Sequence, residues 1–139
     1  MSRLIRPYDP AIGPVVFVKI SDPISGRDIS ETARSETARL LVDSGASDSS
    51  ISVSIAMRLG LPVLGYHQIT GFGASKPVYQ FLSDVEILLD DGSCQLDDWK
   101  LLIFETEYNK IDGLLGRDIL ARAKFTLDGR AGTFELCFE

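Results

Sequence analysis

Asp43 is the residue of this chain best placed to do chemistry. It follows Leu40, Leu41 and Val42 and precedes Ser44, Gly45, Ala46 and Ser47. Three apolar residues in a row read as a buried strand, and Ser-Gly after them turns the chain. A carboxylate delivered to that place is penalised by burial unless it is paired or keeps a proton. Such an acid is suited to passing protons between water and a reacting group. An Asp that only caps its own turn asks for the same neighbours, so this stretch alone leaves both roles open.

A second segment, Ile111-Asp112-Gly113-Leu114-Leu115-Gly116-Arg117-Asp118-Ile119-Leu120, supplies what a buried turn needs beside it. Leu114 and Leu115 before Gly116 read as a strand passing so close to another backbone that no side chain fits. Arg117 to Ala121 has the pattern of a short helix. Asp112 and Asp118 read as surface or capping groups, which leaves one acid in a suitable turn.

Other chemistries find less support. The single histidine, His67, stands without a Gly-x-Ser-x-Gly elbow. Cys94 and Cys137 lack metal-ligand spacing and read as free core thiols. The acids at 90, 91, 97 and 98 lack the spacing of a calcium loop and read as solvated turns. Gly71-Phe72-Gly73 is no phosphate loop, because no strand-to-helix context follows it.

The elements that must position Asp43 are mostly short strands. Pro14 to Ile20 and Thr37 to Val42 form a hairpin through Ser21 to Gly26 and a polar stretch over 27–37. Ser52 to Pro62 has helix punctuation, with Ser52 as N-cap and Gly60 and Pro62 as the stop. Val63 to Ile69 and Pro77 to Leu82 flank the Gly-rich tip at 70–76, a second hairpin. Val85 to Leu89 and Trp99 to Phe104 follow, with an Asp-Gly turn signal at Asp91-Gly92. Lys124 to Asp128 and Gly132 to Phe138 alternate around Gly129. Many strands and little helix point to a closed or sandwiched β structure.

Composition agrees. For 139 residues one domain is expected, and 45% hydrophobic residues are ample for a core. Fourteen basic against twenty acidic side chains, a net charge of −6, argue against a nucleic-acid partner. No apolar run approaches the about 18 residues of a membrane span, and Met1 to Pro7 lacks the apolar centre of a signal peptide. The expected location is the cytoplasm.

The apolar-apolar-Asp-Ser-Gly-Ala turn, followed by the apolar-apolar-Gly-Arg-Asp segment, resembles the retroviral-type aspartic proteases (retropepsins), particularly their bacterial and retrotransposon-like branch. The resemblance covers about residues 14–138. It implies a mainly β, closed barrel of the acid-protease type with one or two short helices, and residues 1–139 as a single domain. It implies an aspartic endopeptidase acting on polypeptide, without cofactor or metal. Two carboxylates sharing a proton are required, so one such turn per chain implies a homodimer in which Asp43 faces its symmetry mate.

By the same resemblance Asp43 is catalytic, and the Ser44 hydroxyl braces the turn across the dimer axis. Gly45 faces substrate and Ala46 keeps the turn narrow. Ser47 and Asp48 contact the substrate backbone, and Gly116 is the wall beside the site. Ser47 stands where many viral members carry an acid, which removes one partner for Arg117 and leaves pairing with Asp48 or exposure. Gly71, Phe72 and Gly73 match the tip of a flap that closes over peptide. Pocket size is set by which of Ile51, Val63, Ile69, Phe72, Val78 and Leu82 face the cleft. The terminal segments, Leu4-Ile5 and Gly132 to Phe138, would interleave between subunits. The alternative is a catalytically silent domain of the same fold that binds peptide or dimerises, since fold and activity separate readily.

Overall fold

The computed structural model describes residues 2–23, 34–71, 74–105 and 110–139, of which 66–77 are described along the backbone alone. Strands β1 (Ser2–Pro7), β2 (Val15–Ser21), β3 (Ser35–Val42) and β4 (Ser50–Ser52) precede helix α1 (Val53–Leu59). Strands β5 (Val63–Gly71), β6 (Ala74–Leu89), β7 (Gly92–Phe104) and β8 (Gly113–Leu115) lead to helix α2 (Arg117–Leu120), and β9 (Ala123–Asp128) and β10 (Thr133–Phe138) finish the fold.

Six strands close on themselves in the order β2-β3-β8-β4-β7-β6, because β6 returns to β2 through Val18↔Ile87 and Ile20↔Val85. β5 hangs from β6 as an outer arm, and β1-β10-β9 form a second, three-stranded sheet. Alternation drives the closure. Val16, Val18 and Ile20 of β2 and Ala38, Leu40 and Val42 of β3 all point inward and are buried, while Phe17 and Lys19 point out. Phe134, Leu136 and Phe138 of β10 join the same core, each worth about 1.5–3 kcal/mol of apolar burial. The expected closed β-barrel with two short helices is the fold observed.

Helix α1 starts and stops as its residues require. The Ser52 hydroxyl accepts from the Ile55 N–H, Gly60 ends the helix at φ 62°, and Ile55, Ala56 and Leu59 face the core. The strands depart more from expectation. β6 is one strand of 16 residues rather than two segments. Ser83 and Asp84 interrupt its apolar pattern, yet both are buried at a register shift. The Ser83 hydroxyl donates to the Ser21 carbonyl, and Asp84 Oδ1 accepts the Asp98 N–H. Satisfied polar groups let the strand run through.

β1, which contains the expected terminal segment Leu4-Ile5, forms against β10: Leu4 pairs with Leu136 and Arg6 with Phe134. Its outer edge is closed by the β6–β7 turn. Asp91 accepts the Arg3 N–H, Asp90 accepts the Ile5 N–H and pairs with Arg6, and the Asp90 N–H returns to the Arg3 carbonyl. Acids expected to be idle in solvent therefore seal a sheet edge. The terminal strands, expected to interleave between subunits, pair with each other in one chain, and β10 has both edges occupied. The tip at 72–73 and residues 24–33 lie outside the described residues. Among the described residues no helix is long and apolar enough to cross a membrane.

Candidate active site

Asp43 stands at the end of β3, where that strand is held from both sides. β2 flanks it antiparallel and β8 parallel, with Leu40↔Gly113 and Val42↔Leu115 in register. The Val42 N–H donates to the Pro14 carbonyl at 2.9 Å and the Asp43 N–H to the Leu115 carbonyl at 3.0 Å. The backbone then turns, with the Ala46 N–H on the Asp43 carbonyl at 3.2 Å. Asp43 Oδ1 accepts the Gly45 N–H at 2.9 Å, and among the described residues Oδ2 takes no hydrogen bond. The side chain is half-buried. A Cβ on Gly45 would lie 3.1 Å from Oδ1, so a side chain there would crowd the carboxylate.

The glycines of the second segment are there for contact. A Cβ on Gly113 would stand 2.0 Å from the Ser50 carbonyl oxygen, and one on Gly116 would stand 2.8 Å from the Asp48 carbonyl and 2.9 Å from that of Ala46. β8 and the start of α2 thus lie flush against the Asp43 turn. Arg117 clamps it twice: its N–H donates to the Ala46 carbonyl and its Nη1 to the Ser44 carbonyl, both at 2.8 Å. Of the two roles open to Arg117 in the sequence, pairing with Asp48 or exposure, the residue is exposed, and from there it also grips the turn's backbone.

Beneath the turn lies a network that the sequence reading missed. The Gly116 N–H donates to Ser49 Oγ at 2.9 Å, and Ser49, fully buried, donates to Asp118 Oδ1 at 2.7 Å. Trp99 Nε1 donates to Asp118 Oδ2 at 3.0 Å, with the Arg122 guanidinium 4.9 Å above the indole. An indole N–H can only donate, and Ser49, which accepts from the Gly116 N–H, turns its one O–H to Asp118. Only an acceptor-only side chain satisfies both, so Asp118 is an internal brace rather than a surface or capping group. Asp112 is equally engaged. It accepts the Arg39 N–H at 2.8 Å and pairs with its guanidinium at 3.3 Å, while its carbonyl accepts the Ser52 N–H.

Gly45, Ala46, Ser47 and Asp48 line a cleft of about 330 Å³ together with Ser50, Leu102, Ile103, Phe104 and Leu114. A larger, mostly apolar groove of about 580 Å³, lined by Tyr8, Ile12, Phe17 and Leu88 among others, has no part of the turn in its wall. Polar groups beside apolar pockets make the smaller cleft the candidate. Of the expected pocket residues, Ile51 is in the core and Val63 is largely exposed; Ile69 and Phe72 cannot be placed among the described side chains. Leu102, Ile103 and Phe104 line the cleft instead, and their continuous apolar run at the end of β7 was the available signal. Gly71 and Ala74 close the β5–β6 ladder, with Phe72 and Gly73 beyond the described residues. Among the described residues no group of three metal-ligating side chains comes together.

A sequence profile described as aspartyl protease matches residues 29–119, which span both the Asp43 turn and the Gly116-Arg117-Asp118 segment. The chain belongs to the aspartyl protease family. Its fold is retropepsin-like: it is similar to a retropepsin-like aspartic protease from Rickettsia conorii, with a TM-score of 0.61 over 98% of this chain and 90% of that one, at 16% identity. A second similar structure is the EIAV protease complexed with the inhibitor HBY-793, with a TM-score of 0.43 and 23% identity over 82% of this chain and 90% of that one. No curated protein sequence matches. In this member of the family, β3 and β8 bring the Asp43-Ser44-Gly45-Ala46 turn against Gly116.

Proposed function

We propose that this chain, residues 1–139 acting as one domain, is an aspartic endopeptidase that works as a homodimer. The observation that carries the reading is the Asp43 carboxylate: one oxygen is fixed by the Gly45 N–H, the other is open, and the turn is clamped beside a cleft. With Asp43 of a second subunit opposite, two like charges about 3 Å apart share one proton. The ionised member takes a proton from water, which attacks the scissile carbonyl carbon. The protonated member hydrogen-bonds the carbonyl oxygen, and the proton is passed to the leaving amine as the bond breaks.

Gly45 leaves room for water and peptide, Ser44 braces the turn toward the partner, and Ala46 keeps it narrow. Ser47 and Asp48 lie on the cleft wall, where they would hold the backbone of an extended substrate. By the resemblance, Gly71, Phe72 and Gly73 would supply a flap tip that contacts substrate, with Phe72 and Gly73 outside the described residues. Cys94 and Cys137 are free thiols, which supports a reducing cytoplasmic location. The test is digestion of an unfolded protein across about pH 4 to 7. Cleavage that disappears in Asp43→Asn and is blocked by a statine-type mimic supports the enzyme. A folded dimer that never cleaves makes it a silent binding domain, and equal cleavage by both proteins indicates a contaminant.

A further inference from the structure

The larger groove shares no residue with the Asp43 cleft and carries a chemistry of its own. Its lining comes from β1, residues 8–13 and outward side chains of β2 and β6. The outward face of those two strands changes character along its length. Lys19 stands opposite Glu86 in register, as charges on an outer surface ordinarily do. The pairing of β2 with β6 ends at Val18↔Ile87, and one step further the residues are Phe17 and Leu88. They are 53% and 38% exposed, and both line the groove. Tyr8 and Leu89, which line it too, pack against the core. Apolar side chains left open in a concave surface mark a binding site.

The 8–13 segment is held firmly. The Asp9 carbonyl accepts the Ile12 and Gly13 N–H groups at 2.9 and 2.8 Å, and Asp9 Oδ1 accepts the Ala11 N–H at 2.9 Å. Gly13, at φ 110°, fits against Leu41, where a Cβ would come 2.9 Å from Cδ1. A concavity of about 580 Å³ has the size of a small-molecule site, whereas protein interfaces are broader. Its charge runs against that of the chain. The whole protein carries −6, yet the groove is lined by Arg6 and Lys110 against one carboxylate, Asp9. Lys110 is exposed and makes no ion pair among the described residues. Arg6 spends Nη1 on the Ile5 carbonyl and Asp90, and among the described residues its Nε and Nη2 have no partner.

We propose that this groove binds a free alkyl carboxylate of medium length, with its chain against Phe17 and Leu88 and its head on Lys110. Apolar walls bind hydrocarbon without regard to direction, so the hydrocarbon supplies affinity. The ammonium gives a charge-assisted hydrogen bond to the carboxylate, and Arg6 adds to the positive field, so the head sets orientation. The site stands without the protease reading, because Asp43 takes no part in it.

Titration calorimetry of the whole chain tests this with octanoate, decanoate and dodecanoate, at about pH 7, where carboxylates are ionised. All three stay below their micelle concentrations. The Kd should fall about four-fold for each added methylene while the chain fits the groove. Decanol should bind about ten-fold more weakly than decanoate, and Lys110→Gln should remove that difference. Leu88→Asp sets a second carboxylate among the lining residues and should raise the decanoate Kd at least about ten-fold. Both positions are exposed, so far-UV circular dichroism should not change. Asp43→Asn should bind decanoate as wild type does, so loss of the protease reading leaves this one standing. Absence of binding by all three acids overturns the site, as does decanol that matches decanoate or a Kd that ignores Leu88→Asp. Sedimentation of the chain with phosphatidylglycerol vesicles, without binding of free decanoate, overturns it in favour of a membrane-contact face.

Discussion

Asp43 and Asp118 are both packed around the same turn, and they are held in opposite ways. Asp43 is half-buried, has one backbone donor on one oxygen, and keeps the other oxygen open. Asp118 has a donor on each oxygen, one from a fully buried serine and one from an indole. A carboxylate meant to exchange protons must stay accessible, and one meant to hold a wall in place must have all its acceptors filled. The chain places the more accessible acid at a strand end and the braced acid behind it, where Ser49 links Asp118 to Gly116.

Substitution at the two acids should separate these roles, and the largest effect is expected at the open one. Asp43→Asn should lower peptide cleavage by about a thousand-fold or more while the thermal midpoint stays near wild type. A similar loss of both in that variant would erase the contrast. Next in size is the glycine wall. Gly113→Ala should lower unfolding free energy by about 3 kcal/mol or more, and Gly116→Ala by about 2 kcal/mol, because both Cβ atoms meet backbone that cannot swing aside. Urea titration reads both.

Asp118→Asn should cost about 1–3 kcal/mol, since an amide presents a donor to one of two donors. Its cleavage, measured where the protein is fully folded, should fall far less than that of Asp43→Asn. If the two variants lose activity equally, Asp118 is doing more than bracing.

The smallest effect concerns the sealed β1 edge. Asp90 is held below the usual carboxylate range, first by the Ile5 N–H and then by Arg6. A lowered folded pKa contributes stability above the unfolded value, near about 4, and that contribution is lost as pH falls through the folded value. Wild type should therefore lose slightly more stability than Asp90→Asn on going from about pH 5 to the acid side of 4. Parallel melting curves for the two proteins across that window would remove Asp90 from the account.

Much of this was legible in the chain. The Asp43 strand, the Ser52–Gly60 helix and the close approach at Gly116 all rest on local patterns that survive folding: an apolar run, a cap pair, a glycine where a side chain would collide. Ser49 was illegible because a lone buried serine has no periodic signature; only its contact with Asp118, far along the chain, gives it meaning. The sealing of the β1 edge was illegible for a related reason: Asp90 and Asp91 meet it from another hairpin, far along the chain. The interleaved termini expected by resemblance gave way because β10 finds partners on both edges within its own chain.

The parallel pairing of β3 with β8 joins residues seventy-three positions apart, as Leu40 with Gly113. Loop closure of that span must precede any reward from the contact, so this part of the barrel belongs to the late stages of folding. A nascent chain that has emerged only as far as β7 already carries Asp43, but without Leu115 to take its N–H or Gly116 and Arg117 to grip its turn. Synthesis order thus separates two events: Asp43 is made early, and its turn is gripped only once β8 and α2 have followed it.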